Sequence, residues 1–491
     1  MSRQFPFLER GLVWFRTDLR MHDNSALYHA STRCKWLAAV FIACPKTWKS
    51  HHEGDTLVNF RLACLRELQA QLQNRNIPLY YLEIPKFSQV PKVLRQISQR
   101  LKIDALFANA EYPLNEQCRD KAVQDALNEE GTKVEYYSDR TLLPPGAVRT
   151  GSDEPYKVFT PFKRALIQVC AGIEVKILPA PRKMLQSDGG PHWPKWLKLE
   201  GGRKLTQKIP SQLTHYSMDT AETGVVKGWR TGESAAQKRL KAFSERVSEY
   251  QTERDFPALD STSRLSPYLN SGAISIRQCI HMALSLNDGC WQGGNEGIAC
   301  WISELIWREF YTHLMVDFPR LSKGKPFKEE TEQIPWSYDK DQFDRWSIGE
   351  TGVPIVDAAM RQLNETAWMH NRLRMIVASF LSKNMLIDWR WGECYFMQQL
   401  IDADFASNNG GWQWTASTGT DAAPYFRVFN PYSQSKRFDP NGNFIRKYVP
   451  ELASLNDKDI HDPPPVQGYP QVICDVAAGR KRAIEVFAKL K

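Results

Sequence analysis

Over the first 140 residues, short apolar runs alternate with stretches in which apolar positions recur every three or four residues. The runs fall at residues 12–15, 37–43, 79–84, 105–110 and 134–137. Between them lie segments of helical period such as LVNFRLACLRELQAQLQNRN, VPKVLRQISQRL and NEQCRDKAVQDALNEEG. Short continuous apolar runs fit strands buried on both faces, and strands alternating with helices predict a parallel, doubly wound sheet covered on each side. Residues 171–227 change in texture to Pro, Gly, Lys and Ser, as in PAPRKMLQSDGGPHWPKW, which reads as a connector over the surface. From Trp229 onward the period is helical almost throughout. GESAAQKRLKAFSERVSEY, GIACWISELIWREFYTHLMVDF and DAAMRQLNETAWMHNRLRMIVASFLSKNMLIDW are the main helix candidates. The pattern therefore predicts an α/β domain over 1–140, a connector over 141–228 and an all-helical domain over 229–491.

A chain of 491 residues is too long for one ordinary core, which agrees with this division. Its 42% hydrophobic and 24% charged residues exclude wholesale disorder and a collagen-like chain. The net charge of +9 is compatible with a polyanionic partner without requiring one. Ten of the 16 tryptophans lie between Trp291 and Trp414, so the aromatic load sits in the helical half. Ten cysteines without a single C-x-x-C argue against a zinc site and a disulfide framework. The start, MSRQFPFLERG, lacks a secretory pattern, and the longest strongly apolar stretch, 37–44, is too short to span a bilayer. A soluble cytoplasmic protein without a membrane partner is expected.

Candidate chemistry is concentrated after residue 250. The first strand is not followed by G-x-G-x-x-G, and no Walker loop occurs, so no glycine-rich phosphate turn is available. In TSRLSPYL, Ser266 suits an N-cap and Pro267 the first helical position, with Thr262, Ser263 and Arg264 just before. Hydroxyls, an arginine and free helix N–H groups fit a pyrophosphate, although an ordinary cap has the same sequence. Glu304, Trp307, Arg308 and Tyr311 share one helix face. They read either as a surface ion pair or as a pocket for a flat, uncharged heterocycle. WMHNRLRM sets His370, Asn371, Arg372, Arg374 and Met375 on consecutive turns, where the basic residues can reach phosphates and His370 reads as a packed histidine. No nucleophilic triad and no metal-ligand spacing stands out. Residues 402–414 hold two acids, three amides, two glycines and two indoles, too polar a mixture for plain core.

That last segment, with VWFRTDLRMHDNSAL, RDFPALDSTSRLSPYL, ELIWREFY, GVPIVDAAMRQL, WMHNRLRM and DAAPYFRVFNP, closely resembles the photolyase/cryptochrome flavoprotein family. The resemblance runs from about Gly11 to Leu452 and is nearest to the class I bacterial cyclobutane pyrimidine dimer photolyases of the folate type. It implies FAD in the helical domain, active as FADH−, held by Tyr250, Thr262, Ser263, Arg264, Leu265, Ser266, Trp301, Arg374, Asp402, Asp404 and Asn408. Asn408 matches the residue facing flavin N5, where an uncharged amide can accept the N–H of the reduced anion and an acid would repel it. DNA carrying the dimer is the implied partner. Arg254, Glu304, Trp307, Arg308, Tyr311, Asn371, Arg372, Met375, Trp414 and Gln434 are the implied DNA-side residues, with Trp307 and Trp414 as walls and Glu304 hydrogen-bonded to the pyrimidine carbonyls. Trp336, Trp389 and Trp412 match the family's electron relay, with Trp336 at its solvent end. Asn115, Glu116 and Lys323 match contacts to a methenyltetrahydrofolate antenna, with a deazaflavin or an empty pocket as alternatives. At Ser322 the chain departs from a close relative's cysteine, and Asn115–Glu116 also reads as a helix N-cap pair. The implied activity is light-driven splitting of the dimer by a monomeric enzyme. A signalling cryptochrome is disfavoured by Asn408, and a six-four photolyase by the single histidine of His370–Asn371.

Overall fold

The computed structural model describes residues 7–184, 191, 193–211, 213–217 and 225–490. The expected connector over 141–228 thus lies partly outside the described residues, as do the first six residues of the chain. The chain divides into two compact units. One comprises Met1–Arg149, Ala165–Ser244 and Ser263–Gln292, and the other Thr150–Arg164, Glu245–Thr262 and Gly293–Lys491.

The first unit is built on strands β1 (Leu8–Phe15), β2 (Cys34–Ala43), β3 (Leu79–Glu83), β4 (Ala105–Asn109) and β5 (Lys133–Tyr137). These five pair parallel with one another, with Leu12 beside Ala38 and Val13 beside Phe107. Leu12, Trp14, Ala38, Val40, Tyr80 and Leu82 form one buried face, packed with Val93, Leu94 and Ile97 of helix Val90–Leu101 and with Val123 and Leu127 of helix Leu114–Asn128. The alternate residues Val13, Phe15, Ala39 and Phe41 are buried as well. Burial on both faces is why these strands read as unbroken apolar runs.

Strands β6 (Trp196–Lys198) and β7 (Lys204–Thr206) give the sheet order β5-β4-β1-β2-β3-β7-β6, β7 running antiparallel to β3 and β6 antiparallel to β7. The expected surface connector therefore contributes sheet, a correction to the sequence reading. Short three-residue edge strands carry too little periodicity to announce themselves.

The contiguous division at residues 140 and 228 is also revised. Residues 263–292 belong to the sheet unit because buried charges fasten them there. Arg277 Nε donates to Asp23 Oδ2 at 2.9 Å, and its Nη2 donates to Asp139 Oδ1 at 2.8 Å, with Asp139 itself 1% exposed. Gly272 (φ +70°) is required in this contact, since a Cβ there would fall 2.2 Å from the Thr17 carbonyl oxygen.

The other unit is helical. Its main elements are Glu296–Asp317, Pro354–Thr366, Asn371–Ser379, Trp389–Gln399 and Phe405–Ala416. The long helix candidate ending at Trp389 is broken in two places. Ala367 takes a left-handed conformation (φ +55°) after Thr366, and residues Phe380–Asn384 form a π turn. Among the described residues no helix is long and apolar enough to cross a membrane.

Candidate functional site

Helix Glu296–Asp317 organises the first group of residues. Asn295 caps it by accepting from the Ile298 N–H at 3.0 Å. Gly297 lets its first turn approach the chain before Tyr250, where a Cβ would lie 2.2 Å from the Ser248 carbonyl oxygen. Trp301, Ile302, Leu305, Ile306 and Phe310 are buried, while Glu304, Trp307, Arg308 and Tyr311 are half-buried.

The Glu304 partner is not Arg308. Arg254 donates from Nη1 to Glu304 Oε1 at 2.5 Å, and its guanidinium lies 5.2 Å from the centroid of the buried Tyr250 ring. Arg372 donates to Asp255 at 2.7 Å, and its guanidinium lies 4.4 Å from the centre of the Phe438 ring. Met375 lies beside it, its Sδ 3.8 Å from Arg372 Nη1. The structure thus joins Arg254, Glu304, Asp255, Arg372 and Met375 from three separate stretches of chain. His370 caps helix Asn371–Ser379 by accepting from the Arg372 N–H at 3.2 Å, and burial lowers it to about 4. His370 is thus buried and serves as a cap, although its Nε2 has no hydrogen-bond partner among the described residues. Asn371 is exposed at the helix start, and Gln434 is half-buried on helix Pro431–Phe438.

A second group surrounds helix Phe405–Ala416. Asp404 caps it, its Oδ1 accepting from Ser407 N at 2.9 Å. Arg374 grips the buried Asp402 carboxylate at 2.8 and 3.1 Å, and its Nε donates to the Met369 carbonyl at 2.9 Å. Such a two-pronged pair fixes both side chains. The Asn408 amide donates to the Glu393 carbonyl at 3.0 Å, and Asn409 donates to the Glu393 carboxyl at 2.8 Å. Burial pushes that carboxyl up to about 7. Glu393 was not singled out in the sequence, where a lone acid inside WRWGECYF has no distinguishing signal.

Trp389 is fully buried, Trp412 is 2% exposed and Trp336 is 8% exposed. Gly392 makes room for Trp412, since a Cβ would fall 2.1 Å from Trp412 Cη2. Trp414 is half-buried.

Residues 263–266 follow Thr262 into the sheet unit. The Ser263 carbonyl accepts from Arg239 Nε at 2.9 Å, and Arg264 takes a left-handed conformation (φ +48°). Ser266 is not the N-cap. It is the first residue of helix Ser266–Ser271, whose cap position is the buried Leu265, and no side chain caps it.

The Asn115 and Glu116 expectation is revised similarly. Pro113 occupies the N-cap of helix Leu114–Asn128, so the pair lies in its first turn. Both residues meet His51, whose Nε2 is 2.8 Å from Asn115 Nδ2 and whose Nδ1 is 3.6 Å from Glu116 Oε1. Burial pushes Glu116 up to about 7 and leaves its Oε2 without a hydrogen-bond partner. His51 lies more than sixty positions upstream and escaped sequence reasoning. Lys323 is exposed at the end of the turn Leu321–Lys323 in the helical unit.

The crevice at the ends of β1 and β4, where the strand order reverses, is the usual ligand position in such sheets. Here it holds Arg16 and Arg119, their guanidinium carbons 4.1 and 4.8 Å from the centroid of the Trp14 ring. Burial raises Glu111, but Arg119, Arg16 and Arg140 outweigh it and hold that acid at about 2.

Comparison with known proteins agrees with this geometry. Residues 11–182 match the model of the DNA photolyase domain, and residues 301–489 match that of the FAD binding domain of DNA photolyase. The deoxyribodipyrimidine photo-lyase of Vibrio cholerae is 42% identical over 98% of this chain and 99% of its own length. Among solved structures, a class III photolyase from Agrobacterium tumefaciens superposes with a TM-score of 0.87 at 32% identity, covering 100% of this chain and 99% of that one. An archaeal photolyase from Sulfolobus tokodaii, solved with two FAD molecules and implying a novel light-harvesting cofactor, superposes with a TM-score of 0.78 at 30% identity, covering 98% of this chain and 100% of its own. The chain belongs to the DNA photolyase family, and FAD is the cofactor of its helical domain.

Proposed function

We propose that this chain is an enzyme that repairs cyclobutane pyrimidine dimers in DNA with light. FAD supplies the chemistry when bound in its reduced form: one electron, lent to the dimer under illumination and returned once the two ring bonds have opened, with no net redox change. The residues of the helical unit fit that group. Tyr250, Thr262, Trp301, Arg374, Asp402, Asp404 and Asn408 supply aromatic, hydroxyl, amide and ion-paired groups of the kind a flavin and its phosphates require.

The observation that carries the reading is the orientation of Asn408. One of its two N–H groups donates to the Glu393 carbonyl, which fixes the nitrogen end of the amide there and leaves the oxygen available to accept from a flavin N–H. A neutral amide at this point stabilises a reduced, anionic cofactor where a carboxylate would oppose it.

On the DNA side, the dimer must leave the duplex to reach a buried flavin, and its weakened stacking lowers the cost of extrusion. Trp307 and Trp414 provide apolar walls, and Arg372 reaches phosphate. Glu304 is ion-paired with Arg254, and a carboxylate only accepts hydrogen bonds. As a carboxylate it can accept from an imide N–H of the dimer, whereas the bond to the pyrimidine carbonyls that the resemblance implies would need the protonated acid.

In the sheet unit, the cluster of Asn115, Glu116 and His51 supports a methenyltetrahydrofolate antenna, whose pterin presents amide-like donors and acceptors. We place the enzyme in the reducing cytoplasm as a monomer. Its cysteines are free, and burial raises Cys34, Cys44 and Cys64 to about 12.

The test is a binding comparison. Duplex DNA with one thymine dimer should bind far more tightly than the same undamaged duplex, with affinity falling as salt rises because phosphate contacts release counterions. Equal affinity for both duplexes overturns the reading.

A further inference from the structure

Resting on the reading of Trp307 as a wall of the dimer pocket, we propose that Phe159, locked in place by Asp421, is the positioning residue that fixes this wall. The Phe159 and Trp307 rings lie with centroids 3.6 Å apart and planes 7° from parallel. One face of the indole is thereby covered, which leaves the opposite face for a ligand. Phe310 meets both rings edge-on, at 5.9 Å from Phe159 and 5.8 Å from Trp307. Tyr311 flanks the indole at 5.5 Å. Tyr311 is itself seated on Gly410, where a Cβ would fall 2.1 Å from its ring. Phe159 is 7% exposed, so it acts through the indole and not by touching DNA.

The backbone of Phe159 is held as firmly as its ring. Its N–H donates to Asp421 Oδ2 at 3.0 Å, and the Thr420 hydroxyl donates to the Lys157 carbonyl. The same loop is tied to the other wall, since Ala423 N donates to the Trp414 carbonyl at 3.1 Å. One short segment, 420–423, thus holds both the residue that backs Trp307 and the backbone of Trp414. A fixed indole loses no rotamer freedom on binding, which is how preorganisation adds affinity.

The experiment compares holoenzyme carrying Phe159→Ala, Phe159→Leu, Phe159→Tyr or Asp421→Ala with the parent, using a thymine-dimer duplex and the identical undamaged duplex. Loss of the stack should reduce the preference for the dimer roughly two- to tenfold. Phe159→Leu, which keeps bulk but not the stack, should lose as much as Phe159→Ala, and Phe159→Tyr should restore the preference. The loss should fall in dimer affinity, with binding of undamaged DNA and FAD content unchanged and repair per photon at saturating dimer close to the parent's. Asp421→Ala, which leaves the aromatic core intact, should shift the preference in the same direction by less and keeps the test open should Phe159→Ala fail to fold. Full dimer preference in Phe159→Leu and Asp421→Ala overturns the proposal, as does an equal loss of affinity for both duplexes. Trp307→Ala tells the two levels apart. If it abolishes the preference while the Phe159 variants do not, only the positioning role fails, and if it too is silent, the reading of Trp307 as a wall fails with it.

Discussion

Glu393 allows a quantitative check on the polar pocket that orients Asn408. Its carboxyl is 8% exposed and accepts from the Asn409 amide, and burial raises it from 4.5 to about 7. The folded chain therefore keeps a proton that the unfolded chain releases at lower pH. Stability from this group is fully present below about pH 4.5 and is lost as pH rises towards about 7, because the folded state binds more protons across that window. The full loss corresponds to about 3 kcal/mol, of which about 2.5 kcal/mol falls between about pH 5 and about pH 9. Glu393→Gln keeps the shape and the oxygen that accepts from Asn409 but cannot ionise. In urea unfolding at a fixed excess of FAD, the stability of the variant relative to the parent should rise by about that amount from the lower to the higher pH. Glu116 and Lys383, pushed up and down respectively to about 7, contribute to both proteins and cancel in the difference. A difference that stays flat with pH would mean the carboxyl is not held neutral, and the arrangement around Asn408 would need to be redrawn.

Glu304→Ala should lower repair per absorbed photon by the equivalent of about 1–3 kcal/mol while FAD stays bound, since it removes the polar contact to the dimer. An unchanged yield on flash illumination would assign the role to another acid. Trp336→Phe should block photoreduction of oxidised FAD by an external reductant, because Phe is much harder to oxidise, yet leave repair by chemically reduced enzyme nearly normal. Loss of both activities would make Trp336 structural, and retention of both would require another electron route. Asn115→Ala and His51→Ala should each diminish a near-ultraviolet absorption band beyond that of flavin, with FAD content unaltered. Bands equal to the parent's would move the antenna elsewhere.

Strands β1 to β4 were legible because most of their residues are buried on both faces, so sequence and environment coincide, whereas β5 is only half-buried. The helical half was legible as a whole but not in its breaks. Apolar positions continue through Ala367 and Phe380, and nothing in their chemistry announces a left-handed residue or a π turn. Ser266 and Asn115–Glu116 show the limit of reading caps locally, since Leu265 and Pro113 took the cap positions instead. Site residues inside long motifs, such as Arg374 with Asp402, were found together in space. Those that act from a distance in sequence were not. His51, Glu393 and Phe159 sit in unremarkable stretches and gain their significance only from what folding sets beside them. The same holds for residues 263–292, whose place in the sheet unit depends on Arg277 meeting Asp23 and Asp139.

Repair itself can be measured in a single reaction. Purified protein with chemically reduced FAD, mixed with an oligonucleotide containing one thymine dimer and illuminated with near-ultraviolet or blue light, should return two intact thymines, with multiple turnovers and no consumption of reductant. The same mixture in the dark should leave the dimer untouched. A dimer that survives illumination while the reduced flavin remains bound and the DNA is shown to be occupied would contradict the assignment of this chain as a light-driven repair enzyme.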